Sequence, residues 1–247
     1  MKKFELTNEF ITNSYGVKLF RIKALIEFGN VKAGDLGGYI EKEENLSHMG
    51  DAWIYGDAQI SGNAQVFGDA QVFGDARVFG NAWVFGDARV SGNARVSGNA
   101  RVFGNARVFG NAWVSGNARV SGDTQVFGDA RVFGNAWVSG NARVFGDAQV
   151  FGNARVSGNA RVSGDARVCG DARVCGNGDY AYAHGFGSVN RTTTFFRLKD
   201  GGVGVRCGCF YGTLAQFRDK IRETHGETKK AQEYLMLADL MKLRFEK

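Results

Sequence analysis

The sequence predicts a mainly β protein with a parallel β-solenoid at its centre. Three observations indicate this fold class. One six-residue word recurs without interruption over residues 51–176, glycine ends every word, and the chain of 247 residues has 36 glycines but no proline. Glycine without proline favours a regular backbone with tight corners over a disordered linker. Glycine at every sixth position also excludes a helix over this stretch.

The word reads [Asp/Asn]-Ala-[Arg/Gln/Trp]-Val-[Phe/Ser]-Gly and occurs twenty-one times, with Thr124 as the only departure from alanine. Its alternation is that of a strand, with Ala and Val inward and the residues between them outward. Glycine followed by Asp or Asn makes a corner. Short strands that turn the same way every six residues coil into a solenoid with a narrow interior of Ala and Val.

This aliphatic-x-x-x-small-x pattern over residues 51–176 resembles the hexapeptide-repeat proteins, whose fold is a left-handed parallel β-helix with three words per coil. The resemblance implies about seven triangular coils. It is also the only source of the left-handed sense, because ordinary parallel crossovers are right-handed.

With three words per coil, every eighteenth residue lies in one column. One corner column is almost purely asparagine, and such segregation supports the eighteen-residue coil: Asn63, Asn81, Asn99, Asn117, Asn135 and Asn153, followed by Asp171. The outward row on the same column mixes arginine with tryptophan: Gln65, Trp83, Arg101, Arg119, Trp137, Arg155 and Arg173. A third column stacks aromatic rings and is interrupted by Ser91: Tyr55, Phe73, Phe109, Phe127 and Phe145.

We expect a domain on each side of the rod. Residues 1–50 contain the strand-like stretches "KFELT" and "KLFRIKALIEF" and predict an N-terminal β cap, since open coil ends are exposed strand edges. Residues 177–247 predict a small α+β domain. It has a loop, "NGDYAYAHGFGSVN", then a hairpin that turns at residues 200–202, then two helices.

Composition limits the function classes. The net charge of +6 is mild, with +2 in the rod and +4 in residues 177–247, so it permits nucleic acid without requiring it. No run of 18 apolar residues is present, so we predict no contact with a membrane. Four cysteines make no disulfide framework, and with no secretory signal in "MKKFELTNEF" they indicate the cytoplasm.

We expect no cofactor and no metal site. The "CGC" at Cys207 and Cys209 would place both thiols on one face of a strand, but zinc sites favour two-residue spacings such as C-x-x-C. Plain packing is the simpler interpretation of these thiols.

Hexapeptide β-helices are often acyltransferases that use coenzyme A thioesters, so the resemblance implies an enzymatic alternative. Such an enzyme needs a histidine base and a loop that breaks the repeat. No word is interrupted here, and the rod has no histidine. His184 in "YAHGFGS" is the only candidate base, so we predict a protein without enzymatic activity.

The leading hypothesis is a rigid scaffold that binds a protein partner or another copy of itself. The binding surface would be the aromatic column, because stacked exposed Phe often marks an interface. The segment "VKAGDLGGYIEKEENLSHMGDAWIYGDA" resembles poorly characterised bacterial and phage β-helix proteins, some with a transferase label. That likeness implies a role in phage–host interplay. A further alternative is nucleic-acid or nucleotide binding by the arginine and tryptophan row.

Overall fold

The N-terminal part of the chain begins with an antiparallel hairpin. In the computed structural model, which describes residues 1–187 and 191–246, strand β1 (Phe4–Thr12) pairs with β2 (Lys18–Ala24). Strand β3 (Leu36–Ile40) runs antiparallel to β2 and parallel to the next strand of the rod. The hairpin therefore leads directly into the first coil.

Twenty-one two-residue strands, β4 to β24, form the rod, one for each word. Their bounds are Trp53–Ile54, Gln59–Ile60, Gln65–Val66, Gln71–Val72, Arg77–Val78, Trp83–Val84, Arg89–Val90, Arg95–Val96, Arg101–Val102, Arg107–Val108, Trp113–Val114, Arg119–Val120, Gln125–Val126, Arg131–Val132, Trp137–Val138, Arg143–Val144, Gln149–Val150, Arg155–Val156, Arg161–Val162, Arg167–Val168 and Arg173–Val174. In every word but the last, the glycine has a φ between 59° and 73°, a left-handed backbone that explains why glycine ends the word.

The rod has three faces because strands three words apart stack on one another. Val78 lies opposite Val96 in the next coil, and Val90 lies opposite Val108 on a neighbouring face. Each face is one parallel sheet, and the sheet that contains β3 also continues into β2 and β1. Three words therefore make one coil, as the asparagine spacing predicts.

The rod has about eight turns, one more than the sequence predicted. The additional turn lies within residues 1–50, where Ile40 pairs with Ile60 and Leu46 bridges to Val66. These pairs are twenty residues apart, and the segment contains no complete word, so the six-residue period does not reveal this turn. Part of the segment expected to cap the rod is its first coil.

Alanine and valine side chains fill the interior of the rod. Every alanine at the second position of a word and every valine or isoleucine at the fourth is 0% exposed. Thr124 is also fully buried, and its hydroxyl donates to the carbonyl of Ser121. One buried valine does not outweigh the entropy of ordering six residues, so stability depends on the stacked hydrogen bonds and on neighbouring coils.

Successive coils are joined by the backbone hydrogen bonds of a parallel ladder. An amide donates to the carbonyl seventeen residues later, as from Arg77 to Ala94 at 2.9 Å and from Phe79 to Val96 at 3.0 Å. A parallel ladder also has bonds in the opposite sense, so each open end of the rod presents both N–H and carbonyl groups. Both edges invite pairing with other chains unless they are covered.

Hydrogen-bond donors cover the N-terminal end. The Lys3 ammonium donates to the carbonyls of Gly50 at 3.0 Å and Ala52 at 2.8 Å, and it lies 4.5 Å from the centre of the Phe28 ring. Lys3 is 1% exposed, and this burial lowers its pKa to about 8. The Asn45 side chain, also buried, donates to the carbonyls of Gly62 and Ala64, on the two sides of one corner.

Acceptors and a donor cover the C-terminal end. Arg161 N–H donates to the side-chain oxygen of Asn177 at 2.8 Å, and Arg167 N–H donates to Thr194 Oγ1 at 2.9 Å. The Tyr180 hydroxyl donates to the Arg161 carbonyl, so the flanking segments satisfy polar groups at both ends of the rod.

The chain after the rod forms a four-stranded antiparallel sheet and two helices. The elements are β25 (Tyr180–Phe186), β26 (Arg191–Arg197), β27 (Val203–Cys207), β28 (Phe210–Thr213), α1 (Leu214–His225) and α2 (Lys229–Phe245). Strand β26 pairs with β25 and β27 and packs on the last strands of the rod. A second core lies between this sheet and the helices.

One expectation for this segment was wrong, and one strand was missed. The predicted loop is strand β25 over half of its length; the alternation of this strand is concealed because it is mostly exposed and contains glycine. Strand β28 was not predicted. The hairpin that turns at residues 200–202 is confirmed. Thr213 caps α1, and its hydroxyl accepts the Gln216 N–H. The expected loop residues 188–190 lie outside the described residues.

No helix in the described part of the chain is long and apolar enough to cross a membrane.

Candidate functional site

The outward third residue of each word lies in a row along the rod. One such row, named here the basic row, consists of Gln65, Trp83, Arg101, Arg119, Trp137, Arg155 and Arg173. Each member lies opposite the next one in the adjacent coil, at the spacing of parallel strands, about 4.8 Å. The register places these residues together as the eighteen-residue period predicts.

Arginine covers the tryptophans of the basic row. The Arg101 guanidinium carbon lies 4.7 Å from the centre of the Trp83 ring, and that of Arg155 lies 5.4 Å from Trp137. The Trp137 indole N–H donates to Ser121 Oγ at 3.2 Å, which fixes the ring orientation. Each pair is a cation–π contact in a defined geometry.

The arginines of the rod have no acidic partners. None of the twelve lies within 4.0 Å of a carboxylate oxygen in residues 1–187 and 191–246. Five pairs also face each other in adjacent coils: Arg77–Arg95, Arg89–Arg107, Arg101–Arg119, Arg143–Arg161 and Arg155–Arg173. Like charges directly opposite are destabilising, so these pairs repel without a neutralising contact.

The predicted asparagine edge is a continuous chain of hydrogen bonds. From Asn63 to Asn153, each side-chain amide donates to the oxygen of the next at 3.0–3.3 Å, and the chain ends on Asp171. Lys42 Nζ begins it by donating to Asn63 Oδ1 at 3.0 Å. The predicted asparagine column is therefore a ladder of side chains that are hydrogen-bonded from coil to coil.

The basic row lies between the asparagine edge and the edge that begins at Asp51. In the C-terminal half of the rod, that second edge also carries amides, at Asn141, Asn159 and Asn177. The most acidic edge, which includes Asp129 and consecutive carboxylates after it, is the third corner of the triangle and does not border this face. The C-terminal half of the basic row is thus flanked mainly by neutral groups.

A recess of about 420 Å³ lies at this end of the basic row. Its lining residues are Arg119, Asn135, Trp137, Asn153, Arg155, Asp171, Arg173 and Lys199. Lys199 comes from the turn after β26, where its backbone N–H donates to the Asp171 carbonyl at 3.1 Å. Four cations and one indole therefore surround one shallow site, with a single carboxylate at its border.

The predicted aromatic column consists of stacked, half-buried rings. Phe109 and Phe127 have centroids 4.9 Å apart and an interplanar angle of 1°, and Phe127 and Phe145 are 5.0 Å apart at 3°. Phe73 in the same column is also half-buried. Among Phe109, Phe127 and Phe145 each ring covers its neighbour, and the outer edges remain accessible along the corner.

His184 lies in a separate recess of about 330 Å³ beside the end of the rod. Its Nδ1 is 2.8 Å from Thr192 Oγ1 and 3.9 Å from a carboxylate oxygen of Asp165. Both contacts use the same ring nitrogen, so Asp165 does not orient the imidazole through its opposite nitrogen as in a base–orienter pair. The geometry allows proton exchange with Thr192 and no relay beyond it.

The cysteines do not form the arrangement expected from "CGC". Cys207 ends strand β27 and is buried, Gly208 turns the chain at a φ of 57°, and Cys209 lies outside the strand and is exposed. The two thiols are therefore not on one face of a strand. Among residues 1–187 and 191–246, no three His, Cys, Asp or Glu side chains could hold a metal ion together.

Two features of the surface were not foreseen. Lys199 joins the recess only because β26 packs on the last coil, and no local pattern in the sequence marks it. Helix α2 exposes Met236, Leu240 and Leu243, which are 72%, 54% and 70% exposed. Their spacing of four and three residues is typical of one face of a helix, so this apolar stripe could have been predicted from the sequence.

The rod defines this chain as a β-solenoid repeat protein. The YdcK β-solenoid repeat matches it in nine overlapping stretches that cover residues 58–86 and 88–170. No curated protein matches the chain. The likeness to this repeat covers most of the rod and leaves out its first and last words and both flanking segments.

Proposed function

We propose that this protein is a non-enzymatic scaffold that presents the outer rows of its rod to a partner. The uninterrupted register is the observation that supports the proposal. Since every interior alanine and valine is fully buried, the outward residues are fixed at repeated positions along three faces. Similar side chains held in long rigid rows are suited to recognising an extended surface of a partner.

The partner in this proposal is a protein or a second copy of the chain. The outer edges of Phe109, Phe127 and Phe145 offer an apolar strip along one corner, and the exposed apolar stripe of α2 offers another surface. A left-handed coil, kinship with the hexapeptide-repeat proteins, a cytoplasmic location and a role in phage–host interplay belong to the same proposal.

Two deletions test whether the rows of outward side chains bind the partner. Removing residues 105–122 takes out one full coil and keeps every downstream row in register. Removing residues 117–122 takes out one word and moves every downstream residue to the next face. Both variants keep the local pairing of coils and both flanking segments, so both should fold with a β-rich circular dichroism spectrum.

We expect the full chain and the coil deletion to capture the same protein from a lysate of the producing cells, while the word deletion loses it. Analytical ultracentrifugation of the three proteins distinguishes a second copy from another partner. Equal capture by all three proteins would contradict the proposal. It would show that the partner does not recognise the rows of outward side chains on the rod.

A second candidate function, acyl transfer from a coenzyme A thioester, rests on the contact between His184 and the Thr192 hydroxyl. The test is release of free thiol from acetyl coenzyme A by the full chain. Turnover that disappears in His184→Ala, with the fold unchanged, would establish this alternative and overturn the non-enzymatic proposal.

A further inference from the structure

We propose that the C-terminal half of the basic row binds single-stranded nucleic acid. Arg119, Arg155, Arg173 and Lys199 would contact successive phosphates, and Trp137 would stack on a base. This ligand is additional to the protein partner proposed above and uses a different surface.

The cations form a line rather than a cluster. Arg155 lies opposite Arg173 in the adjacent coil, and Trp137 separates Arg155 from Arg119. At about 4.8 Å per coil, Arg119 and Arg173 are roughly 14 Å apart along the rod. A row of this length suits a chain of phosphates better than one small anion, which would need convergent donors.

Part of the row is already fixed in position. The Arg173 guanidinium donates to the carbonyls of Asn153 at 3.1 Å and Ala172 at 2.9 Å, so its orientation does not depend on a ligand. Trp137 is held by its bond to Ser121. Groups ordered in advance lose less entropy when they bind.

This face of the rod lacks the carboxylates that would neutralise the charge of its arginines. Arg155 and Arg173 repel each other across adjacent coils and have no carboxylate within 4.0 Å in the described part of the chain. A bridging phosphate would relieve that repulsion. Asp171 is the one acid that lines the recess, and its carboxylate accepts from Asn153 Nδ2 at 3.3 Å.

The asparagine edge adds neutral donors beside the cations. Asn135 and Asn153 line the recess, and each Nδ2 uses one hydrogen in the ladder. An amide nitrogen carries two, so a second N–H on each residue remains for a phosphate oxygen. Arginines beside an indole are a combination that single-strand grooves use, and these amides add donors to it.

Single-stranded rather than duplex nucleic acid fits because stacking requires an exposed base face. Trp137 has a fixed orientation, and the Arg155 guanidinium that lies over its ring offers a second planar surface on which a base can stack. A duplex hides its base faces and would use the cations alone.

The experiment measures fluorescence anisotropy of a labelled twelve-nucleotide oligothymidylate with the full chain at several salt concentrations. The variants are Arg155→Gln, Arg173→Gln and Trp137→Gln, because glutamine already occupies this word position at Gln125 and Gln149. Arg131→Gln is the matched control, since Arg131 lies at the same level as Trp137 but on the face that borders the acidic edge.

Each arginine variant of the basic row should reduce the slope of log affinity against log salt by about 0.7. Trp137→Gln should weaken binding roughly tenfold with little change in slope. Asp171→Asn should tighten binding roughly threefold to fivefold, because it removes the one opposing charge and extends the asparagine ladder. Arg131→Gln should leave the affinity unchanged within about twofold.

Competition identifies the source of the phosphate. The unlabelled oligothymidylate should displace the probe, whereas inorganic phosphate, ATP and a duplex of the same length should displace it only at much higher concentration. Equal competition by the duplex, or equal losses in Arg131→Gln and Arg155→Gln, would overturn the inference in favour of general electrostatic attraction. Undetectable binding at low salt would also overturn it and would leave the deletion test of the scaffold unaffected.

Discussion

The Lys3 ammonium lies 2.8 Å from the carbonyl oxygen of Ala52 at the N-terminal end of the rod. The first coil has no preceding coil to donate to its carbonyls, so a buried cation takes the place of backbone N–H groups. At the other end, Thr194 Oγ1 accepts the Arg167 N–H and the Tyr180 hydroxyl donates to the Arg161 carbonyl. Side chains of the flanking segments therefore complete hydrogen bonds that the terminal coils cannot make with another coil.

Lys3 should make stability rise with pH in an alkaline window. Burial lowers its folded pKa from 10.5 to about 8, so the unfolded chain binds more protons between these values, and the free energy of unfolding increases as pH rises from about 8 to about 10.5. Lys3→Met should remove this slope and cost about 2 kcal/mol at pH 7, because two carbonyls lose their donor. Urea unfolding at several pH values measures both.

Lys32→Met, at an exposed lysine, is the control for the general effect of removing one charge. The same slope in Lys3→Met and the unchanged protein would show that Lys3 is not the group responsible.

The asparagine ladder should depend on its ability to donate and accept at every step. Asn117 accepts from Asn99 at 3.0 Å and donates to Asn135 at 3.1 Å. Asn117→Asp keeps the first bond and sets a carboxylate against the Asn135 oxygen, so we expect a loss of about 1 kcal/mol at pH 7. The loss should shrink near pH 3, where the carboxyl is protonated and can donate.

The matched control reverses this change on another edge. Asp129 accepts from Asn111 at 3.0 Å, and the next residue in its column is Asp147. Asp129→Asn should therefore leave stability unchanged or raise it slightly in urea unfolding. Equal destabilisation by both substitutions would mean that the ladder bonds contribute nothing.

The corner glycines should differ in how well they tolerate a side chain. A Cβ at Gly116 would lie 3.0 Å from the backbone nitrogen of Gly134, whereas a Cβ at Gly56 would meet nothing closer than 3.7 Å. Both have positive φ, at 67° and 60°, so alanine costs about 1–2 kcal/mol at either position for its backbone alone.

Gly116→Ala should cost a further 1 kcal/mol or more, about the size of a mild overpacking penalty, because coil spacing must widen to admit the methyl group. Chemical denaturation followed by circular dichroism gives the two free energies. Equal losses of stability in the two variants would show that the close approach of adjacent corners does not restrict these positions to glycine.

The repeat predicted the rod well because its outward rows depend only on spacing along the chain. Once three words make a coil, Arg155 must lie next to Arg173 and Asn99 next to Asn117, whatever the surrounding sequence. The additional coil was missed because Ile40 and Leu46 take interior positions in a segment with a different spacing.

The candidate site was predictable only in part. The arginine and tryptophan row follows from the period, but Lys199 reaches it through the docking of β26 on the last coil, a contact between distant parts of the chain. Whether the arginines of the rod pair with nearby aspartates could not be judged from sequence, because pairing depends on side-chain direction at a corner. In the structure no ion pair of this kind forms among the described residues.

The four cysteines should divide into two reactive and two protected thiols. Cys175 and Cys209 are exposed, whereas Cys169 is 2% and Cys207 is 8% exposed. Burial raises the pKa of Cys169 to about 11, so at pH 8 only about one molecule in 1,000 carries its thiolate, which is the reactive form. A colorimetric disulfide reagent at pH 8 should therefore modify two thiols quickly and the other two only after denaturation. The double variant Cys175→Ser and Cys209→Ser should show no fast reaction, since serine already occupies the position of Cys175 in other words. A third fast thiol would show instead that the C-terminal sheet separates readily from the last coil and uncovers Cys169.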